Sequence, residues 1–197
     1  AYFDSVKDQC ADEESFLQEY MCEPADESSV FITSDLYDGV TSGLSENWQK
    51  PLSECGDLYV GIDVGHKHDR TTCWVWEKSG NIYFQRRLKV LQNMKFSEQE
   101  AEIYPILALP NMRRCCVDAT GIGAQFAERM QERFGKYRIE AVAFTNAVKA
   151  DMAYKLRAAF EDRNIRIADD RDTRADFRSI KKEITSSGAV RFDAERT

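Results

Sequence analysis

The chain has 197 residues, enough for one domain of ordinary size plus an extension, and 43% of them are hydrophobic, which is sufficient for a real core. No apolar run is long enough to span a bilayer, and we expect no signal peptide in the acidic N-terminal residues. The sequence contains neither GxxxxGKS nor GxxxxGKT, which excludes a P-loop ATPase. Its six cysteines form no CxxC pair, which argues against a zinc site.

The formal net charge is −7, but the charge is distributed unevenly along the chain. Residues 1–57 hold 14 acidic and two basic residues, a net charge of −12, whereas residues 58–197 hold 20 acidic and 25 basic residues, a net charge of +5. The second part is therefore basic enough to meet a phosphate backbone, provided that the excess collects on one face.

Residues 1–57 are polar, acidic and interrupted by Gly, Ser and Pro. Their apolar patch at Val30-Phe31-Ile32 is too short to bury a core alone, so we interpret residues 1–57 as a tail or linker that packs on another structure. The folded domain is predicted to span residues 58–197.

Three strands are predicted at the start of this domain, over residues 58–64, 71–77 and 82–90. Gly80-Asn81 between the second and the third is typical of a hairpin turn. Strands joined by such short loops are expected to form an antiparallel meander.

Helices and strands alternate over the rest of the domain. A helix is predicted from a capping box at Ser97 and Glu100 to the residue before Pro110. Another is predicted over residues 121–134, ended by Gly135, with three apolar residues on one face: Ile122, Phe126 and Met130. The remaining elements are strands over 114–118, 139–144, 165–167 and 189–193 and helices over 149–163 and 171–183. This order predicts an α/β fold of the RNase H-like arrangement, a mixed sheet of the antiparallel three-stranded meander plus parallel strands, with helices on both faces.

Asp63 and Asp118 are candidate catalytic and metal-binding residues. Each is a carboxylate at the end of an apolar strand, where a charge is costly unless it is paired or bound to a metal. If the two strands are parallel neighbours, both carboxylates reach one crevice at the carboxyl ends of the strands. Two clustered carboxylates favour hard divalent cations, and two such ions would activate water and stabilise the leaving oxygen of a phosphodiester. Either aspartate could instead cap a turn or a helix, a serious alternative for Asp118 ahead of Gly121.

The loop after Asp63 carries further candidates. Asp69 could be a third metal ligand or a partner of the ligands, although an aspartate that only stabilises a turn is the alternative. For His66 and His68 we expect phosphate or solvent contacts rather than zinc ligation. Two basic residues of this loop are candidate contacts to DNA: Lys67 and Arg70.

Four basic residues recur at three- and four-residue spacing on the last predicted helix: Arg174, Arg178, Lys181 and Lys182. They would share one helix face and could follow a DNA backbone. Acidic residues are interleaved with them, so an ion-paired, solvated face is the alternative.

Four segments of the sequence resemble the nuclease domain of large terminase subunits from Mu-like phages and prophages. They are Gly61-Ile-Asp-Val-Gly-His-Lys-His-Asp-Arg-Thr, Phe96-Ser-Glu-Gln-Glu-Ala, Cys116-Val-Asp-Ala-Thr-Gly-Ile-Gly and Ser179-Ile-Lys-Lys-Glu. The acidic segment that begins at Glu14 looks like the end of the ATPase domain of those subunits. Within this resemblance, Asp63 matches the first metal-binding acid, Asp118 the second, and Asp69 an acid that often follows the first.

The resemblance implies a metal-dependent endonuclease that cleaves double-stranded viral DNA during genome packaging, in the cytoplasm of the bacterial host. It implies two Mg²⁺ or Mn²⁺ ions as cofactors. The implied partners are double-stranded DNA, the ATPase domain of the same subunit, the portal and the small terminase subunit. Members of this family usually supply a third metal-binding acid after the final strand. We therefore expect this chain to be a fragment that lacks both the ATPase domain and that acid.

Three other functions are compatible with the sequence. An ATPase of the actin and sugar-kinase type also has a phosphate loop after a strand that bears Asp and Gly, but it needs a second such loop. A non-catalytic docking module of the packaging motor would act through residues 1–57. A Holliday-junction resolvase of the same fold would prefer four-way junctions to linear duplexes.

Overall fold

The computed structural model describes residues 30–41, 48–65, 70–184 and 190–194. Within these ranges the strands are β1 Asp57–Asp63, β2 Thr71–Ser79, β3 Ile82–Leu91, β4 Met112–Asp118, β5 Ile139–Val142, β6 Ile165–Arg166, β7 Ile180–Ile184 and β8 Val190–Ala194. The helices are α1 Ser34–Thr41, α2 Phe96–Leu107, α3 Gly123–Phe134, α4 Asn146–Glu161 and α5 Arg171–Arg178, with a short 3-10 helix at Leu52–Glu54. No helix in the described ranges is both long enough and apolar enough to cross a membrane.

Six strands form one mixed sheet in the order β5-β4-β1-β2-β3-β6. β1, β2 and β3 are antiparallel neighbours, β4 lies parallel to β1 on its other side, and β5 lies parallel to β4. The turn between β2 and β3 begins at Gly80, whose φ of 59° is adopted at little cost only by a residue without a Cβ. The predicted meander and the predicted mixed sheet are confirmed.

Alternate residues of the sheet face two cores, one on each side. Leu58, Val60 and Ile62 of β1 are buried in the first core, together with residues of α2 and α3. The second core lies on the opposite face, where Phe160 of α4 and Phe177 of α5 are buried. Helices therefore cover both faces of the sheet, as predicted, because each face carries apolar side chains that are stabilised by leaving water.

The segment that precedes the domain in the sequence packs into the second core. Phe31, Ile32 and Tyr37 are buried there, and the Phe31 N–H donates to the carbonyl of Ile180 over 3.2 Å. Residues 30–41 therefore pack on the domain itself. The domain boundary after Asp57 stays a prediction, and so does the origin of residues 1–57 in an ATPase domain. Residues 1–29 lie outside the described ranges.

The last predicted helix is wrong beyond Arg178. α5 ends there, and residues 180–184 form β7, which pairs with β8 as an antiparallel two-stranded sheet. Ile180 and Ile184 are four residues apart, a spacing that also suits one face of a helix. The pairing with β8 decides between the two structures, and a local pattern contains no information about that partner.

The start of α2 also differs from the prediction. The Glu98 carboxylate accepts a hydrogen bond from the Lys95 N–H at 2.7 Å, so the helix is capped from Lys95 rather than from Ser97. The predicted capping box is therefore wrong. Glu100 instead forms an ion pair with Arg129 of α3 at 2.6 Å, which joins the two helices on the first core.

Glu77 of β2 holds the residues before β1 against the sheet. It is 6% exposed, accepts a hydrogen bond from the Gly56 N–H at 2.6 Å, and pairs with Arg86 at 2.6 Å and Lys50 at 3.1 Å. Burial by itself raises the pKa of Glu77, but the contacts with Gly56, Arg86 and Lys50 outweigh burial, and the pKa is lowered. The ionised carboxylate therefore stabilises the folded state.

Glu77→Gln is expected to lower the free energy of unfolding at pH 7 by about 2 kcal/mol, because the guanidinium of Arg86 loses its partner in a mostly buried place. Because the folded-state pKa of Glu77 is lowered, its carboxylate contributes its full stabilisation only above the unfolded-state pKa of about 4.3. This stabilisation of the folded state is lost as the pH falls through the folded-state pKa. Urea unfolding of both proteins between pH 7 and pH 3 measures the difference. A difference that does not shrink below pH 4 would contradict this explanation.

Candidate metal site

Asp63 is the last residue of β1, and Asp118 is the last residue of β4. These strands are parallel neighbours in which Ile62 lies opposite Val117, so the next residue of each strand is one of the two aspartates. Side chains alternate along a strand, so both aspartates point to the face opposite the first core. The structure therefore meets the condition under which the sequence predicted one shared crevice.

Both aspartates line one cleft of about 490 Å³. The floor of the cleft is the sheet, and one wall is the beginning of α4. Most of the remaining lining residues are apolar: Trp74, Trp76, Val142, Phe144, Val148 and Met152. Trp74 and Trp76 pack on each other with ring centroids 4.8 Å apart. They also border the cleft, which was not predicted.

The cleft is electrostatically suited to a cation. Its described lining includes the carboxylates of Asp63, Asp118 and Glu140 and no Lys or Arg. Glu140 pairs with Arg114 at 2.7 Å. Asp63 and Asp118 end neighbouring strands, which lie about 4.8 Å apart in a sheet. Two like charges placed so closely repel each other and any phosphate unless a cation lies between them. Their oxygens are the ligands that Mg²⁺ and Mn²⁺ prefer, so the residues present fit a divalent metal.

The described part of the chain contains no group of three or more His, Cys, Asp or Glu side chains that could hold a metal ion. The candidate site that the described residues offer therefore consists of two carboxylates, Asp63 and Asp118. Residues 66–69 lie outside the described ranges. They include Asp69, the candidate third ligand, Lys67, a candidate DNA contact, and His66 and His68, for which phosphate or solvent contacts are predicted. The roles predicted for these four residues stay predictions.

The loop after β4 fixes the orientation of the Asp118 carboxylate. Its Oδ1 accepts a hydrogen bond from the Thr120 N–H at 2.7 Å, and the Thr120 hydroxyl accepts one from the Phe144 N–H at 3.1 Å. Asp118 thus stabilises a turn, one of the alternatives that the sequence allowed, but it does not cap α3, whose N-cap is Ile122. A carboxylate has about four lone-pair positions, so this bond leaves room for a metal ion.

Gly123 lets α3 begin directly against the backbone of Asp118. A Cβ at this position would overlap the Asp118 carbonyl oxygen, and it would lie 3.1 Å from the carbonyl carbon and 3.8 Å from the Cβ of Val64. The loops that follow the two aspartates therefore meet at this glycine. The sequence predicted a helix over residues 121–134 with Ile122 on its apolar face. Ile122 is 44% exposed, because α3 begins one residue later.

Two buried polar residues next to the site escaped the sequence analysis. Thr71 is fully buried and Gln99 is 2% exposed, and both form hydrogen bonds to Gly65, two residues after Asp63. The signal that could have found Gln99 is a polar residue at a core-facing position of an amphipathic helix, since buried amides are rarely left without partners.

The predicted basic face of the last helix does not exist as a single helix face. Arg174 lies on α5, but its side chain is 16% exposed and pairs with Asp38 at 2.7 Å and with Asp169 at 2.9 Å. Arg178 is 9% exposed and donates a hydrogen bond to the hydroxyl of Ser34. Asp38 and Ser34 both belong to α1, so these arginines hold the N-terminal segment against the domain.

Lys181 and Lys182 lie on β7, where side chains of consecutive residues point to opposite faces. Lys182 is exposed, and its Nζ lies 5.4 Å from the ring centroid of Tyr154. Arg70 is exposed. Binding of DNA by these basic residues and by the two arginines of α5 stays a prediction.

Comparisons with known proteins identify the family and the fold. A family model described as the terminase RNaseH-like domain matches residues 60–197. The large terminase nuclease of thermophilic phage G20c with bound magnesium is similar in structure, with a TM-score of 0.59 and 17% identity over 71% of this chain and 72% of that one. The HK97 bacteriophage large terminase gives a TM-score of 0.63 at 11% identity, over 84% of this chain and 39% of that one. A search of curated proteins finds no match.

The large terminase of a second thermophilic bacteriophage, in complex with ATP-γ-S, is also similar, with a TM-score of 0.62 at 14% identity over 85% of this chain and 42% of that one. At such identities the structural likeness shows the fold, and the predicted RNase H-like fold is confirmed. The chain spans about two fifths of this large terminase and of the HK97 one. A Mu-like origin stays a prediction.

Proposed function

This chain belongs to the terminase RNaseH-like domain family, and from that premise we propose that it is the metal-dependent endonuclease domain of a terminase large subunit. Its substrate is double-stranded viral DNA, cut during genome packaging in the host cytoplasm. The observation that carries the proposal is the placement of Asp63 and Asp118 at the ends of neighbouring parallel strands, on one cleft. The ATPase domain of the same subunit, the portal and the small subunit are the partners that this role requires.

Asp63 and Asp118 hold the metal in this proposal, with Asp69 as a further ligand suggested by the family resemblance. Two Mg²⁺ or Mn²⁺ ions at such a site supply activation of water and stabilisation of the leaving oxygen of a phosphodiester. The two aspartates concentrate negative charge at the strand ends, and the Thr120 N–H keeps the Asp118 carboxylate in one orientation. The G20c terminase nuclease has been solved with magnesium and with cobalt bound, which supports a divalent cation as the cofactor in this proposal.

No side chain of the described cleft is proposed as a nucleophile. Cys116 is the thiol that lines the cleft, and burial, followed by the negative charge of Glu140, raises its pKa. A thiol with a raised pKa is a poor nucleophile at neutral pH. Water is therefore the attacking group, the products carry a 5′-phosphate and a 3′-hydroxyl, and no covalent protein–DNA adduct forms.

Supercoiled plasmid is expected to be nicked and then linearised by the chain in Mn²⁺ or Mg²⁺, with no cleavage after addition of EDTA. Agarose gels measure the rate, and religation of the linear product by DNA ligase without kinase treatment tests for the 5′-phosphate. Cleavage that survives EDTA, or an adduct that resists denaturant, would contradict the proposal. Strong preference for four-way junctions over linear duplex would point to a resolvase instead. Binding of DNA with neither cleavage nor Mn²⁺ binding would point to a docking module.

A further inference from the structure

A buried polar network lies directly behind the Asp63 end of β1. The Gly65 N–H donates to the Thr71 hydroxyl at 2.8 Å, and that hydroxyl donates to the Gln99 side-chain oxygen, also at 2.8 Å. The Gln99 amide in turn donates to the carbonyls of Met94 at 3.1 Å and Gly65 at 3.4 Å. Every donor in this chain of bonds has a partner, although Thr71 is fully buried and Gln99 nearly so.

The network begins where the sheet ladder ends. Asp63 lies opposite Thr72 in the last pair of β1 with β2, so the backbone of Gly65 receives no support from the ladder. Thr71 and Gln99 provide that support from the first core, on the face of the sheet opposite the cleft. A threonine and a glutamine at these positions are costly to bury, and apolar residues would serve a core at less cost.

The segment that Thr71 and Gln99 anchor lies beside the loop that follows Asp118. Val64 lies between Asp63 and Gly65, is 9% exposed, and has its Cβ 3.8 Å from the place where a Cβ on Gly123 would lie. Gly123 in turn abuts the carbonyl of Asp118. The bonds from Gln99 through Thr71 to Gly65 therefore act on the backbone that fixes where the two carboxylates lie relative to each other.

We propose that Thr71 and Gln99 are positioning residues, which set the separation of the Asp63 and Asp118 carboxylates and thereby the affinity of the site for a divalent cation. This inference rests on the proposed function of that site. Neither residue touches the cleft, so each acts through the Gly65 backbone. Residues that orient metal ligands change metal affinity by about 10- to 100-fold when they are replaced.

The test measures Mn²⁺ binding without DNA, from the electron paramagnetic resonance signal of free Mn²⁺, in Thr71→Val, Thr71→Ser and Gln99→Leu. The Val variant keeps the shape of threonine and removes the hydroxyl, whereas the Ser variant keeps the hydroxyl. Gln85→Leu is the matched control, since Gln85 is 3% exposed and accepts a bond from the Ala168 N–H at 3.0 Å in a part of the sheet away from the aspartates.

Thr71→Val and Gln99→Leu are expected to raise the Kd for Mn²⁺ by about tenfold or more, while Thr71→Ser and Gln85→Leu keep it near the original value. Equal Kd values for folded Thr71→Val and the unsubstituted chain would overturn the inference alone. If Thr71→Val does not fold, Gln99→Met decides, and an unchanged Kd there also overturns it. If the unsubstituted chain does not bind Mn²⁺, or if its Mn²⁺ binding survives Asp63→Asn, the proposed function and this inference are both overturned.

Discussion

Asp63→Asn and Asp118→Asn are each expected to reduce the rate of plasmid cleavage by about 1000-fold or more, because a metal at such a site contributes several kcal/mol and each 1.4 kcal/mol is tenfold in rate. An amide keeps the size of the carboxylate but loses the negative charge that holds a hard cation. Each substitution also removes one of two neighbouring like charges and the repulsion between them. The Tm of each variant in EDTA shows whether that variant is folded, so that a loss of cleavage is assigned to the site and not to unfolding.

The thermal unfolding curve also reports the metal directly. A ligand that binds only the folded state stabilises it, so Mn²⁺ should raise the Tm of the unsubstituted chain and of neither variant. Asp57→Asn is the matched control, because Asp57 begins the same strand, lies far from the cleft, and pairs with Arg113 at the surface. Cleavage retained in both Asp63→Asn and Asp118→Asn would show that the reaction takes place elsewhere.

Gly123→Ala is expected to lower the free energy of unfolding by about 2 kcal/mol, because the new Cβ collides with the Asp118 carbonyl and backbone has to move. The same movement displaces the Asp118 carboxylate. A misplacement of about 1 Å costs roughly 100-fold in rate, so cleavage measured where the variant is still folded should fall by about that factor. Urea unfolding and plasmid cleavage, run on one preparation, measure the two effects.

Gly135→Ala separates loss of stability from displacement of the site. Gly135 ends the same helix with a φ of 85° and has open space around its Cβ position, so alanine there is strained but collides with nothing. We expect a loss of about 1 kcal/mol in stability and an unchanged cleavage rate. Equal cleavage by Gly123→Ala and Gly135→Ala would refute the argument that the close approach at residue 123 positions Asp118.

Two of the wrong predictions share one physical cause. The Ile180-Lys-Lys-Glu-Ile184 pattern suits a helix, yet pairing with β8 makes it a strand. Arg174 has the spacing of a solvated helix face, yet two aspartates and the ring of Tyr37, 4.5 Å away, bury most of its side chain. In each case a residue distant along the chain supplies the partner, and a local window does not contain it.

By itself, the sequence determined the order of strands and helices over most of the domain and the position of Asp63 and Asp118 at strand ends. Both follow from local patterns, namely the alternation of apolar residues and a carboxylate that interrupts it. Only the tertiary structure decided that β4 lies beside β1, that Gly123 joins the two aspartate loops, and that Thr71 and Gln99 support Gly65 from behind. These features are contacts between distant segments, and packing, rather than any local preference, selects which segments meet.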